Sequence, residues 1–370
     1  MTAPVQALRF GSGAAVPRVE DPALVQGQGR YADDHTLAGQ TWLAFVRSDH
    51  AHARIAAIHL DAARALPGVL AAWSGADLVA AGVQPIALPG GFVRPDGQPA
   101  SAPPRHALAH EVVRYVGEAL AAVVAETRAA ARHAAAAVRV EYEALPVVAT
   151  ADAALAPGAP QLWPGAPGNI VAEARYGDDA AAEAAFARAA HRVALDLVNQ
   201  RLAPATLEPR SGLAWLDGGR LTLRLSTQMP TGVRATLAAC LPGRTEANTR
   251  VVVGDVGGGF GMKTSAYPED VVLGWAALQL GRAVKWQAER IEEFCSAVHG
   301  RGVDCRAELA LDAAGKVLAL RVRGHANVGA CPGGASLAIP LVLGPWVATS
   351  VYDIAHVSLH WQAVLTNNAV

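Results

Sequence analysis

The apolar positions of the chain fall into two periods. From Ala119 to Ala125 the run ALAAVVA has no polar interruption, which predicts a short strand buried on both faces. Thr127 then stands where a helix cap belongs, ahead of an alanine-rich helix reaching Ala137. VRVEYEAL, residues 138–145, alternates apolar and polar and predicts a half-exposed strand ending at Pro146. Nearer the start, VEDPALVQGQGR over Val19–Arg30 is turn-rich and is followed by YADD. TWLAFVRS over 41–48 reads as a strand, and HARIAAIHLDAARALPGVLAAWSG as strand, short helix and strand, punctuated by Pro67 and Gly68. Residues 83–106 are rich in Pro and Gly and read as loop. These elements predict an α+β domain over 18–150, preceded by a tail at 1–17.

Residues 151–170 carry four prolines and no period, so 151–190 is read as a linker. The region from 191 to 370 opens on the strand-like HRVALDLVNQRLA. A hairpin follows, in which AWL and LTLRLST flank Asp217-Gly218-Gly219, with Leu221, Leu223 and Leu225 on one face. TGVRATLAACL predicts a helix, RVVVGDV a buried strand, and Pro268–Leu280 an amphipathic helix with Val271, Trp275 and Leu278 on one side and Gly281 as its stop. VDCRAELAL and VLALRVR predict a last hairpin across Asp312-Ala313-Ala314-Gly315. From Ala326 to Tyr352 there is no Asp, Glu, Lys or Arg. Pro332, Pro340, Pro345 and the Gly333-Gly334 pair make a lipid-facing helix a poor reading, and buried irregular backbone is expected instead.

The 370 residues exceed one ordinary domain. Lys and Arg number 31 against 32 Asp and Glu, a net charge of −1, so there is no basic footprint for nucleic acid. The start, MTAPVQALRFGSG, does not read as a secretory signal, and a cytoplasmic location is expected. Cys240, Cys295, Cys305 and Cys331 are too widely spaced for a zinc or iron–sulfur motif. Charged residues make up 17% and apolar ones 52%. Such a low charge fraction suggests surface covered by another subunit or by further chain, beside the plainer explanation of alanine-rich composition.

The segment VVVGDVGGGFGMKTSAYPED places Gly257-Gly258-Gly259-Phe260-Gly261 between a strand and a helix. Serial glycines let backbone amides approach a bulky or anionic ligand. The dinucleotide pattern fails because Met262 stands where its last glycine is required, and the phosphate-loop pattern fails because Met262 separates Gly261 from Lys263. A structural glycine bulge is the alternative. At the end of LTLRLST, Ser226 and Thr227 lead to Gln228, an uncharged donor and acceptor at a strand end.

Seven segments taken in order, RVEDPALVQGQGRYADD, FVRSDHAHARI, RYVGEALAAVVAET, NQRLAPATLEPR, STQMP, DVGGGFGMK and AERIEEFCSAVHGR, resemble the molybdenum-binding large subunit of the xanthine dehydrogenase, aldehyde oxidase and carbon monoxide dehydrogenase family. The resemblance implies an α/β hammerhead domain followed by the first part of a molybdopterin-binding α/β domain, incomplete at its C-terminus. It implies a molybdopterin-type molybdenum cofactor, the cytosine dinucleotide form included, and partner subunits carrying 2Fe-2S and FAD. Gln228 matches the glutamine that hydrogen-bonds an oxo group on molybdenum. Gly258, Gly259, Phe260 and Gly261 match the loop against the metal ligands and pterin. No direct metal ligand and no catalytic residue falls within the chain, the general base being expected beyond Val370 in a C-terminal half. The substrate expected is a small molecule: an aldehyde, an N-heterocycle or carbon monoxide. Thr264 stands where purine-oxidising members carry an acid, which disfavours purines. A non-catalytic or split-gene subunit is the alternative.

Arg210 and Arg301 match family positions, with bracing of loops as the competing role. His50 and His52 are near enough for a ligand pair, but a structural role is favoured; Asp49 replaces a common proline beside them. Glu289, Glu292 and Glu293 with Arg290 read as a solvated or interface face. Glu118 matches a position with no assigned chemistry. Glu269 and Asp270 sit in the first turn of a helix, where negative charge offsets the dipole.

Overall fold

In the computed structural model, residues 15–370 are described, apart from 89 and 102; the tail through residue 14 lies outside them. Among the described residues fifteen strands form, β1 (Thr41–Arg47), β2 (Ala53–His59), β3 (Val69–Ser74), β4 (Val112–Val113), β5 (Ala119–Ala125), β6 (Arg139–Ala144), β7 (Ile170–Gly177) and β8 (His191–Asn199), then β9 (Ser211–Asp217), β10 (Arg220–Leu225), β11 (Thr249–Val252), β12 (Val284–Gln287), β13 (Val303–Leu311), β14 (Val317–Asn327) and β15 (His356–Val364). They make a seven-stranded sheet in the order β11-β10-β9-β12-β1-β5-β3, a five-stranded sheet β7-β15-β14-β13-β8, and a three-stranded sheet β4-β2-β6.

All seven residues of β5 are buried. One side of the strand packs with Leu221, Leu237, Val272 and Trp275, the other with Ala53, Ala131 and Ala134. Burial on both faces is why the run shows no alternation. The Thr127 hydroxyl accepts from the Ala130 amide and caps the helix Arg128–Ala136. β1 pairs antiparallel with β5 and parallel with β12, so strands from the first and second halves of the chain share one sheet. The Lys285 ammonium on β12 donates to the carbonyls of Asp33 and His35, tying the YADD segment to that sheet.

Several elements differ from the sequence expectation. Helix Pro268–Leu280 is buried almost all round, Glu269 and Val271–Ala277 included, rather than amphipathic; it is wedged between the sheet and helix Pro230–Cys240. Gly281 does stop it, in the left-handed region. The strand read over RVVVGDV is shorter, Thr249–Val252, and forms the edge of its sheet. The stretch 151–190 contains helix Ala151–Leu155, all of β7 and helix Asp179–Arg188. Its prolines are accommodated between elements, while Leu162 and Ala166 enter the core. The uncharged stretch after β14 forms short helical turns from 334 to 346, and Trp346, Val347, Val351 and Tyr352 are exposed rather than buried. No helix among the described residues is long and apolar enough to cross a membrane.

Glu118 sits where β4, β5 and the loop 105–115 meet, with Cys331 lining the same small cavity. The Arg114 amide donates to its carboxylate at 2.6 Å. Burial nevertheless raises its pKa to about 7, with Arg114 and Arg105 opposing. A carboxyl held above its unfolded value contributes stability below about pH 4.5 and loses it as pH rises through about 7. The Glu118→Gln variant should therefore gain on the natural protein across that window, by on the order of 3 kcal/mol at pH 8. Urea melts at pH 5 and pH 8 measure this, and equal midpoint differences at both would disprove it.

Candidate functional site

Residues 257–263 leave regular structure between β11 and helix Pro268–Leu280. Gly258, Phe260 and Gly261 all adopt positive φ, at 102°, 49° and 86°. For Phe260 this is a strained conformation that a side chain rarely adopts. The loop stays in place because both of its ends meet one buried ion pair. Lys263 is 1% exposed. Its ammonium donates to the Glu208 carbonyl at 2.9 Å, to Glu208 Oε2 at 3.0 Å and to Ser226 Oγ at 2.7 Å. At the other end, the Gly257 amide donates to the same Glu208 Oε2 at 2.8 Å and the Glu208 amide donates to the Gly257 carbonyl at 3.1 Å. A Cβ on Gly257 would lie 2.5 Å from that of Glu208, so only glycine allows this approach. Ahead of the loop, the Arg30 amide donates to Asp255 Oδ2 at 2.7 Å, which ties the end of the QGQGR motif to this segment. Burial pushes the Lys263 ammonium below its ordinary pKa, with Glu208 opposing.

The same lysine orients Gln228. The Gln228 amide donates to the Lys263 carbonyl at 2.8 Å, and the Lys263 amide donates to Gln228 Oε1 at 3.2 Å. With the amide oxygen engaged, the Nε2 group is left to donate outward. A Cβ on Gly259 would lie 2.4 Å from the Gln228 carboxamide, so Gln228 rests directly on the loop. Among the described residues, the amides of Gly258, Gly259, Phe260 and Gly261 donate to no protein acceptor. Free amides beside a neutral donor suit a ligand rich in oxygen and sulfur acceptors, and a molybdopterin-type group fits that donor set. Gln228, Gly258, Gly259, Phe260 and Gly261 are thus brought together. Thr264 is turned back, its hydroxyl donating to the Gly261 carbonyl at 2.6 Å.

Arg210 lies in a separate buried network. It donates to Glu293 at 2.7 Å, to Glu269 at 3.2 Å and to Ser296 Oγ at 2.7 Å, and stacks 3.9 Å over the Tyr267 ring. Arg47 joins Glu269 and Glu292. Glu269 is therefore the centre of an ion cluster rather than a solvated dipole charge; burial would raise its pKa, but Arg210 and Arg47 hold it down to about 2. Asp270 does cap the helix, accepting from the Tyr267 amide at 2.9 Å. The glutamates of AERIEEF divide: Glu289 is exposed, as a solvated face requires, whereas Glu293 is buried and Arg290 donates to the carbonyls of Thr206 and Leu207. The network reaches the loop through Tyr267, whose hydroxyl donates to the Met262 carbonyl at 2.5 Å. His50 stacks on Tyr142 while His52 is buried against the Pro146 carbonyl, and no metal-holding group of His, Cys, Asp and Glu occurs among the described residues.

A cavity of about 440 Å³ adjoins the loop, lined by Phe260, Gly261, Met262, Arg201, His299, Arg301 and residues of the uncharged stretch such as Ile339 and Pro340. Arg301 is placed there by a turn with φ 62°. Lys263, Glu208 and Ser226 had no role in the sequence reading, although all three stand inside its motifs. A lysine ending a glycine loop that matches no phosphate pattern was the available signal.

Residues 162–370 match the family model described as the molybdopterin cofactor-binding domain, and residues 26–146 match the α/β hammerhead domain of aldehyde oxidase and xanthine dehydrogenase. The chain belongs to the molybdenum-binding large-subunit family of these enzymes. It is 35% identical to the nicotine 6-hydroxylase large subunit of Paenarthrobacter nicotinovorans, covering 96% of this chain and 43% of that one. It is also 35% identical to the carbon monoxide dehydrogenase large chain of Hydrogenophaga pseudoflava, covering 100% of this chain and 47% of the relative. Quinoline 2-oxidoreductase from Pseudomonas putida 86 superimposes with a TM-score of 0.86 at 35% identity, covering 96% of this chain and 44% of that structure. The chain thus spans a little under half the length of these family members.

Removing the ammonium leaves the largely buried Glu208 carboxylate without its counter-charge. Lys263→Met should cost about 3–5 kcal/mol and speed exchange of the hydrogen-bonded loop amides of Gly257, Met262 and Lys263, leaving β5 unchanged. Adding Glu208→Gln should recover part of the loss. Hydrogen-exchange mass spectrometry checks both, and unaltered protection of the loop would remove the clamp role.

Proposed function

We propose that this chain is the N-terminal half of a molybdenum hydroxylase large subunit, in which Gln228 and the loop Gly258–Gly261 hold a molybdopterin-type cofactor. The observation that carries the reading is the Gln228 carboxamide fixed on Gly259 with Oε1 engaged, beside four loop amides without protein acceptors. When bound, the cofactor supplies two-electron redox and oxygen-transfer chemistry. The chain's own part is positional. Gln228 Nε2 would offer a neutral hydrogen bond to an oxygen acceptor of the bound group, and the loop amides would offer donors that need no reorganisation. Phe260, 77% exposed, lines the cavity that adjoins this donor set.

The substrate would be an aldehyde, an N-heterocycle or carbon monoxide, with electrons passed to 2Fe-2S and FAD groups in partner subunits. Purines are disfavoured because Thr264 brings no charge and turns its hydroxyl into the loop. The chain alone should be inactive, since the general base would come from a C-terminal half.

Elemental analysis of the complex purified through this chain should find molybdenum; a complex without it ends the proposal. Gly259→Ala puts a methyl against the Gln228 carboxamide and should lower molybdenum content severalfold with little change in melting temperature. Gln228→Ala should retain the metal better but reduce turnover at least tenfold, on the scale of losing one aligned donor. Unchanged turnover in Gln228→Ala with a lowered melting temperature would reassign Gln228 to the fold.

A further inference from the structure

We infer that Arg30–His35 is a strap from the hammerhead domain that holds the stem of the glycine loop in place for the cofactor, and that Asp255 is the positioning residue through which it acts. Its effect on cofactor retention rests on the reading proposed above; its contacts with the stem do not.

The strap is fixed by its own chemistry. Within RYADD the Tyr31 amide donates to Asp34 Oδ2 at 2.9 Å and the Asp34 amide donates to the Tyr31 carbonyl at 3.2 Å, which closes the segment into a turn of 3-10 helix over Ala32–Asp34. Ala32 and Lys285 are each 3% exposed. The Lys285 ammonium donates to the Asp33 carbonyl at 2.5 Å and to the His35 carbonyl at 3.0 Å. A buried cation engaged by two carbonyls anchors the turn to β12, away from the loop. Residues 26–146 match the hammerhead family model, so the strap belongs to the first domain while the loop belongs to the second.

The loop stem is gripped at two points. At the first, the Arg30 amide donates to Asp255 Oδ2 at 2.7 Å and the Asp255 amide donates back to the Arg30 carbonyl at 3.3 Å. A Cβ on Gly254 would lie 2.7 Å from that carbonyl, so the strap comes as near as glycine allows. At the second, two residues on, the Gly257 amide meets Glu208 Oε2. The strap reaches this carboxylate too, because the Ala32 amide points at Glu208 Oε1 from 3.4 Å. One oxygen of Glu208 therefore serves the loop and the other faces the strap.

The Arg30–Asp255 contact lies at the surface. Its loss should cost the fold little, while the place where the loop leaves β11 depends on it. Arg224 is the other charged group near Asp255: burial lowers the Arg224 pKa, and Asp255 opposes. An effect of Asp255 through that charge has to be separated from an effect through the strap.

Hydrogen exchange read at single amides, on the complex purified through this chain, tests the strap. Asp255→Ala removes the acceptor and should make the Gly257 amide exchange about tenfold faster, on the scale of losing one charge-assisted hydrogen bond. Molybdenum content should fall severalfold, while protection of β5 and the melting temperature stay nearly unchanged. Asp255→Asn keeps an oxygen for the Arg30 amide and should restore most of both readouts. Gly254→Ala sets a methyl against the Arg30 carbonyl and should repeat the signature of Asp255→Ala. Unaltered exchange at Gly257 in both alanine variants overturns the inference, and so does an equal rise across β5, the mark of plain destabilisation. Failure of Asp255→Asn to recover assigns the effect to the charge beside Arg224 and overturns it as well. Faster exchange with unchanged molybdenum content overturns the role toward the cofactor. If the natural complex holds no molybdenum, the hydroxylase reading fails, and the exchange results alone decide the strap.

Discussion

The ammonium of Lys263 meets Glu208 and Ser226 inside the protein, and Glu208 meets the amide at the opposite end of the glycine loop. Seven residues are thereby closed into a ring by a single charge pair. Three of them hold positive φ, a conformation that Phe260 could not keep without such closure. The main chain of Lys263 also sets Gln228. One residue thus fixes loop shape, strand end and donor direction together, and its low exposure makes the fixing stiff, because the pair is scarcely screened by water.

A second buried network supports the first. Glu269 sits between Arg47 on β1 and Arg210 before β9, so it joins a strand of the first half to the segment that carries Glu208. Tyr267 links this cluster to the Met262 carbonyl. Buried ion pairs are weak sources of net stability but costly to break singly, and here they make the relative placement of the two halves specific. That is a constraint on geometry, where a purely apolar interface would tolerate sliding.

The local elements were legible in the sequence where local chemistry decides them. Thr127 announces its helix, Asp217-Gly218-Gly219 its hairpin, and the apolar run of β5 its burial on both sides. Gln228 and the loop Gly258–Gly261 were singled out through motif order, and the Gln228 carboxamide lies against Gly259. What failed depends on long-range packing. The helix Pro268–Leu280 has polar residues at its start, yet Glu269 is buried because Arg47 and Arg210 come to it from 222 and 59 positions away along the chain. Glu293 escaped for the same reason. No period in a window of sequence encodes a partner that distant. The linker reading failed differently: prolines mark breaks between elements, and β7 begins only after the last of them.

The low charge fraction acquires a location. Along β8 every residue is exposed, and Val193, Leu195 and Leu197 register with Leu309, Ala307 and Cys305 on one side of the five-stranded sheet. The opposite side carries Arg306, Glu308, Arg321 and Arg323, partly covered by helix Asp179–Arg188. So the apolar surplus is not spread evenly over an alanine-rich surface, as composition alone would suggest. It gathers on one sheet face and on Ile339, Leu343, Trp346 and Val347, and Ile339 belongs to the wall of the loop cavity. Isolated exposed apolar residues need no explanation, but a gathered set beside a ligand cavity does. The same segment whose missing charge looked like buried backbone is instead the border between the proposed site and open surface.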